Sequence, residues 1–199
     1  MSLLISTAYL PPLAYISAGI KEEVFRIEIH ETFPKQTCRN HCRIYGPNGI
    51  QVLSVPVIRT SGNHTQTRDV RISYSLPWQK THWKSIETAY NNSPFFLFYQ
   101  DYFEPVFHRK YNFLIDLNAA LLETIFSALK VSTQILYTDH FTKFSSRDPR
   151  EYLVSKKYQL FLPPYHQVFA SKSGFISNLS LIDALFNLGP ETLPYLKSL

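Results

Sequence analysis

Glycine and cysteine are scarce in this chain, with six and two copies in 199 residues, and charged residues make up only 18% of it. So few glycines leave no Walker loop, no dinucleotide-binding glycine fingerprint after a strand and no nucleophile elbow. A nucleotide would have to be held by side chains. Cys38 and Cys42 are too few for a disulfide framework, and a reducing compartment keeps them as thiols. With His41 they form one Cys-x(3)-Cys pair that lacks a second ligand pair at a structural-zinc spacing, so no metal is expected. Neither thiol has a base fixed beside it by the sequence, and no cofactor is indicated. No stretch approaches the roughly 18 to 20 uninterrupted apolar residues of a membrane helix. The first apolar run has no basic flank and is cut by Pro11-Pro12, which argues against a secretory signal and leads us to expect a soluble, cytoplasmic protein.

What is present suits one core. At 45% hydrophobic the chain is long enough for a single well-buried domain over residues 1–199 and too short to make two the default. Twenty Lys and Arg against 15 Asp and Glu give a formal charge of +5. That excess favours a small anionic ligand, without the dense basic runs of a dedicated nucleic-acid binder. The cluster Arg147-Asp148-Pro149-Arg150-Glu151 with Lys156-Lys157 mixes signs and reads as a solvated loop.

The pattern predicts an α/β fold, a mixed β-sheet with α-helices packed on it. Leu3 to Ser6 reads as a strand, Leu13 to Ile20 as a helix, and Val24 to Ile29 alternates with period two as a half-buried strand. Gly46-Pro47-Asn48-Gly49 between Cys42–Tyr45 and Ile50–Val57 predicts a hairpin with positive φ at Asn48 or Gly49. A short strand follows at Val70 to Tyr74. Helices are predicted over Trp78 to Tyr90, from Pro94 through Phe107, and over Phe113 to Leu129. Gln134 to Tyr137 and Tyr158 to Phe161 are strand candidates, and Asn178 or Ser180 caps a last helix from Leu179 to Asn187 ended by Gly189-Pro190.

Polar residues border the apolar segments where sites are usually built. Lys35, Arg39 and Arg43 fall at even separations, so an extended chain would line them on one face to meet phosphate or carboxylate. Salt-bridged or snorkelling surface cations are the competing reading. His82 shares a helical stripe with Trp78, Ile86 and Tyr90, which offers either a general acid or base or a packed histidine. Trp78 and Trp83 can face a sugar ring or serve as core. Gln167 can orient a polar ligand and Asp183 can pair with a cation, while buried hydrogen-bonding roles explain both equally well.

These segments together resemble the WbqC-like protein family. Pro11 and Tyr15 match its opening, where Ser6 and Thr7 replace the usual Gln and Pro. Lys35, Asn40, Arg43 and Ile44 match its Lys-x(4)-Asn-x-x-Arg-Ile run, with His41 in place of Arg. Pro56 matches the end of a strand. Trp78, Lys80, His82, Ile86, Tyr90, Pro94 and Phe95 match a helical block, and Phe175 to Asp183 with Leu185 to Gly189 match the last helix, Ser177 replacing Pro. The resemblance implies a place in surface-polysaccharide, O-antigen-like biosynthesis. From it and the residues we expect group transfer involving an activated amino sugar or sugar nucleotide. Lys35 and Arg43 would hold an anionic group, Asn40 and Gln167 would orient the substrate, Tyr9 and Trp78 would contact it, and His82 would transfer a proton. A non-catalytic anion-binding or assembly module and a nucleic-acid binder are the alternatives.

Overall fold

The computed structural model describes residues 2–34, 37–143, 150 and 160–199. Its centre is a small parallel sheet of β1 (Ser2–Ser6), β2 (Val24–Glu28) and β7 (Gln134–Tyr137), with β2 in the middle. Ser6 pairs with Glu28, and Ile27 with Tyr137, so the three carboxyl ends lie side by side. The crossover between β1 and β2 is α1 (Leu13–Ile20). Phe25 of β2 meets Tyr15 of α1 and Phe126 of α4 (Leu114–Leu129), at ring separations of 5.3 and 6.0 Å. Burial of rings of this size is the main driving force at such a centre.

Beside this sheet stands the predicted hairpin, β3 (His41–Gly46) and β4 (Gly49–Ser54), turned at Gly49 with φ of 100°. The strand expected to continue to Val57 stops at Ser54. Val57 and Ile58 form a separate short strand, β5, which pairs antiparallel with β6 (Arg71–Ile72). Among the described residues the mixture of strand directions therefore comes from three small sheets, one parallel and two antiparallel.

Helix α2 (Trp78–Tyr90) packs on β3 and on α3 (Phe96–His108), which packs in turn on α4. The helix expected to be last is α6 (Leu181–Leu188), preceded by the single turn α5 (Ala170–Ser173). Ser180 occupies its N-cap position, although its hydroxyl makes no capping bond. The Asn178 side chain instead accepts the Ala14 N–H at 3.0 Å. Beyond Gly189-Pro190 the chain re-enters a helix, α7 (Thr192–Ser198), which packs on α1. Phe186 of α6 joins the layers, its ring within 6 Å of those of Tyr90, Phe96 and Phe103. The strand expected at Tyr158 to Phe161 begins outside the described residues, and Leu160 and Phe161 are not in a strand. Most of the expected loop from Phe141 to Lys157 also lies outside them.

Gly19 tests this packing. Alanine is the better helix former by about 1 kcal/mol, yet a Cβ at position 19 would overlap the Phe25 ring. Overpacking wins, so Gly19→Ala should destabilise by about 1–3 kcal/mol, read as a lower urea midpoint at unchanged slope.

Candidate functional site

In open α/β sheets the carboxyl ends of parallel strands are where ligands bind, and here those ends carry an unusual density of buried charge. Arg39 and Glu31 are 4% and 3% exposed. The guanidinium meets the carboxylate in bidentate fashion, Nε to Oε1 at 2.7 Å and Nη2 to Oε2 at 2.8 Å. It also donates to the Ser6 hydroxyl at 2.6 Å and to Thr37 Oγ1 at 3.2 Å. Asn118 of α4 donates to Thr7 Oγ1 and to the Arg39 carbonyl, at 3.1 and 2.9 Å. Buried charges persist only when paired and hydrogen-bonded in this way.

A second buried carboxylate, Glu28, ends β2. It accepts the His30 N–H at 2.7 Å, the Thr138 hydroxyl at 3.0 Å and the Thr142 N–H at 2.8 Å, with Arg150 Nη1 3.7 Å away. Period-two reading placed Glu28 on the solvent side of a half-buried strand. It is buried because β2 is the central strand and the chain following β7 folds over its end. Beside it His30 Nε2 lies 3.0 Å from the Thr138 carbonyl.

The segment after β1 leads from these charges to α2. The Tyr9 N–H donates to the Cys38 carbonyl at 2.8 Å, and the next residue, Leu10, is held at φ of 40°. A left-handed leucine is a strained conformation that the surrounding structure must impose. The buried Tyr9 hydroxyl lies 2.8 Å from His82 Nδ1. Burial lowers the His82 pKa to about 4, and the Ser54 backbone partly opposes this. His82 is therefore a neutral imidazole near pH 7, with Nδ1 engaged by the Tyr9 hydroxyl. Burial likewise pushes the Tyr9 phenol well above its ordinary range, with Cys42 adding to the rise.

Trp78 stands edge-on to His82 at 5.1 Å and close to Tyr74 at 6.1 Å. Trp78 and Trp83 also line an open groove of about 560 Å³ between the start of α2 and the end of α3. Asn40 is bound to Val55, its amide donating to the Val55 carbonyl at 3.1 Å and its backbone carbonyl accepting the Val55 N–H. The structure thus brings Tyr9, Trp78 and His82 into one neighbourhood.

Two further site residues sit elsewhere. Arg43 is exposed on β3. Gln167 is 1% exposed and spends its amide internally: Nε2 donates to the Ile176 carbonyl and to Asp183 Oδ1, both at 2.9 Å, while Oε1 accepts the Ile176 N–H. Asp183 pairs with no cation among the described residues; it accepts from Tyr90, Tyr165 and Gln167. Burial raises its pKa, and these three donors oppose the rise. Lys35 lies outside the described residues. The expected cation face does not form, because Thr37 to Asn40 is a turn whose Thr37 carbonyl accepts from Asn40 and His41. Arg39 consequently turns inward while Arg43 faces solvent.

Sequence reading missed Glu28, His30 and Glu31 as members of the strand-end cluster. A signal was available: carboxylates at both ends of Glu28-Ile29-His30-Glu31, directly after an apolar-alternating strand. Among the described residues no group of three His, Cys, Asp or Glu side chains is arranged to hold a metal ion, and no helix is long and apolar enough to cross a membrane.

Fold and site define an α/β protein with a charged, hydrogen-bonded strand-end cluster linked through Tyr9 and His82 to an aromatic groove. The sequence model of the WbqC-like protein family matches residues 7–160, and the chain belongs to that family. It is also similar to the uncharacterized protein Rv1507c of Mycobacterium tuberculosis (strain ATCC 25618 / H37Rv), with 24% identity over 225 residues covering 98% of this chain and 96% of the relative. No solved structure matches the chain significantly. Helices α6 and α7 lie beyond the matched span yet share its core.

The state of His82 gives a pH prediction. The unfolded ring binds a proton near pH 6.5 and the folded one only near pH 4, so the unfolded state holds more protons in between and stability must fall as pH drops through that window. The loss reaches at most about 3 kcal/mol by pH 4 and then levels off. His82→Gln should flatten this part of the urea-stability profile; an unchanged slope would remove His82 as its source.

Proposed function

We propose that the chain is a group-transfer enzyme of surface-polysaccharide, O-antigen-like biosynthesis that acts on an activated amino sugar or sugar nucleotide. The observation that carries this reading is the continuity from the strand ends through Tyr9, His82 and Trp78 to the groove. It sets hydrogen-bonding side chains beside aromatic walls and the cations Lys80 and Lys110. Sugars offer a ring face for an aromatic and hydroxyls for fixed polar groups, and their activated forms carry phosphate for cations. In this reading Trp78 contacts the substrate, while Tyr9 and Asn40 shape the wall behind it. Lys35 is proposed to hold an anionic group, whereas Arg43 and Gln167, which sit elsewhere, take no part at the groove. His82 remains the proposed proton carrier, reached by way of the Tyr9 hydroxyl.

A second reading has its own support. The buried, neutral His82 held by the Tyr9 hydroxyl suits a packed residue, which favours a non-catalytic anion-binding or assembly module. His82→Gln separates the two. For a proton carrier it should lower turnover on amino-sugar acceptors about 10²–10⁴-fold with substrate binding retained. For a packed residue it should lower the melting temperature, any loss of product tracking the unfolded fraction. Thermal stabilisation by a panel of nucleotide sugars tests the ligand class. Tight, steeply salt-dependent binding to DNA or RNA with no response to the panel would place nucleic acid ahead of both.

A further inference from the structure

We propose that the open edge of β4 takes up an extended segment of a partner protein as an added strand, and that this segment alternates apolar with acidic residues. The surface stands independently of the group-transfer reading.

The hairpin uses its two edges differently. On the β3 side the Arg43 carbonyl accepts the Ser180 N–H at 2.9 Å and the Tyr45 N–H donates to the Tyr90 hydroxyl at 3.2 Å, so both residues point their backbone groups away from β4. Residues opposite each other in an antiparallel pair either exchange their backbone bonds or both turn outward. Val52 stands opposite Arg43 and Ile50 opposite Tyr45, so the N–H and C=O groups of Val52 and Ile50 point out of the hairpin on the β4 side. None of these groups has a partner among the described residues. The side chains are exposed as well, Ile50 by 45% and Val52 by 51%.

Soluble proteins usually blunt such an edge with lysine, proline or a bulge. The run Gly49-Ile50-Gln51-Val52-Leu53-Ser54 carries no charge and no proline, and it pairs with β3 without a break in register. An edge in this condition is a template for strand addition, in which main-chain bonds give affinity and alternate side chains give selectivity.

The two faces beside the edge define what the partner must present. Ile50 and Val52 share one face, where a strand added at about 4.8 Å sets its own apolar residues against them. Gln51 points to the other face, its amide donating to the Ser85 hydroxyl of α2 at 3.0 Å. There Gln51, Lys80, Thr81, Lys84, Ser85 and Thr88 line an open groove of about 430 Å³, with no Asp or Glu among the described residues that line it. The α2 members recur at helical spacing, so the groove follows one stripe of the helix. Lys84 Nζ meets Glu87 of the next turn at 3.2 Å, but that pair is exposed, and the ammonium keeps donors for a second carboxylate. Every second side chain of an added strand projects onto this basic floor, which selects acidic residues there. The same lysines disfavour a second copy as occupant, because β4 against β4 would bring two basic floors together with no acid on either strand.

The test titrates the intact protein with the end-capped peptide Val-Glu-Val-Glu-Val-Glu, and with Val-Lys-Val-Lys-Val-Lys as the comparison, while amide chemical shifts and hydrogen exchange are read residue by residue. The expected result is saturable shifts centred on Ile50 and Val52, slower exchange of their amides, and binding about tenfold or more weaker both for the lysine peptide and in Lys80→Glu/Lys84→Glu. Both lysines are exposed, so the charge reversal should leave the fold intact. Val52→Pro removes an N–H that bonds nothing in the hairpin and should abolish binding while β3 keeps the parent's protection. No response at Ile50 and Val52, shifts centred elsewhere, or equal affinity for the two peptides would overturn the proposal. Slow exchange at these two amides before any peptide is added, with a mass that rises with concentration, would give the edge to a second copy and overturn the acidic partner.

Discussion

The structure turns on the buried ion pair between Arg39 and Glu31. Taking a guanidinium and a carboxylate out of water costs several kcal/mol per ion, and only bidentate geometry with the remaining donors satisfied offsets it. Here the offset comes from three parts of the chain: Glu31 just beyond β2, Ser6 at the end of β1, and Thr37 in the intervening turn. The pair therefore prescribes where Glu31 to Pro34 and Thr37 to Asn40 must run, which is across the carboxyl ends of the parallel strands. Once the segment lies there, its Cys38 carbonyl receives the Tyr9 N–H and its Arg39 carbonyl receives the Asn118 amide.

From that anchor the contacts pass outward in short steps. Tyr9 is held at its backbone by Cys38 and at its hydroxyl by His82, and His82 meets Trp78 edge-on. A charge network at the sheet thus fixes the first turns of α2 and the aromatic wall of the groove. The second polar network, Asp183 with Tyr90, Tyr165 and Gln167, pins α6 to α2, and the Tyr90 hydroxyl also accepts the Tyr45 N–H of β3. Hydroxyl and amide donors suffice there because the oxygens need partners more than a counter-charge, although burial still raises the acid's pKa.

Much of the fold was legible from periodicity. Helices α1 and α2 and strand β7 fall where apolar spacing and turn residues put them, and Gly49 supplies the positive φ of the hairpin. Strand ends were less legible: Ile50 to Val57 is interrupted after Ser54, because local pattern does not say which partner a strand finds. Helix α7 was missed because Gly189-Pro190 reads as a stop, whereas Pro190 lies in a 3₁₀ turn that feeds directly into the helix. The site was harder still. Arg39 reads like any surface cation until Glu31, eight residues away, is brought against it, and the burial of Glu28 depends on Thr138 and Thr142 more than a hundred residues later. Long-range closure of this kind leaves no periodic trace.

The central claim is that the Arg39–Glu31 pair holds Tyr9, and through it the α2 layer, in place. Amide hydrogen exchange in Arg39→Lys tests it most directly, since lysine keeps the charge but cannot make the bidentate contact. The account predicts that protection of the Tyr9 amide falls well below that of Ile27 in the neighbouring strand, marking local opening of the strand-end segment within a sheet that stays closed. Tyr9 and Ile27 amides that retain the parent's relative protection in Arg39→Lys would contradict it.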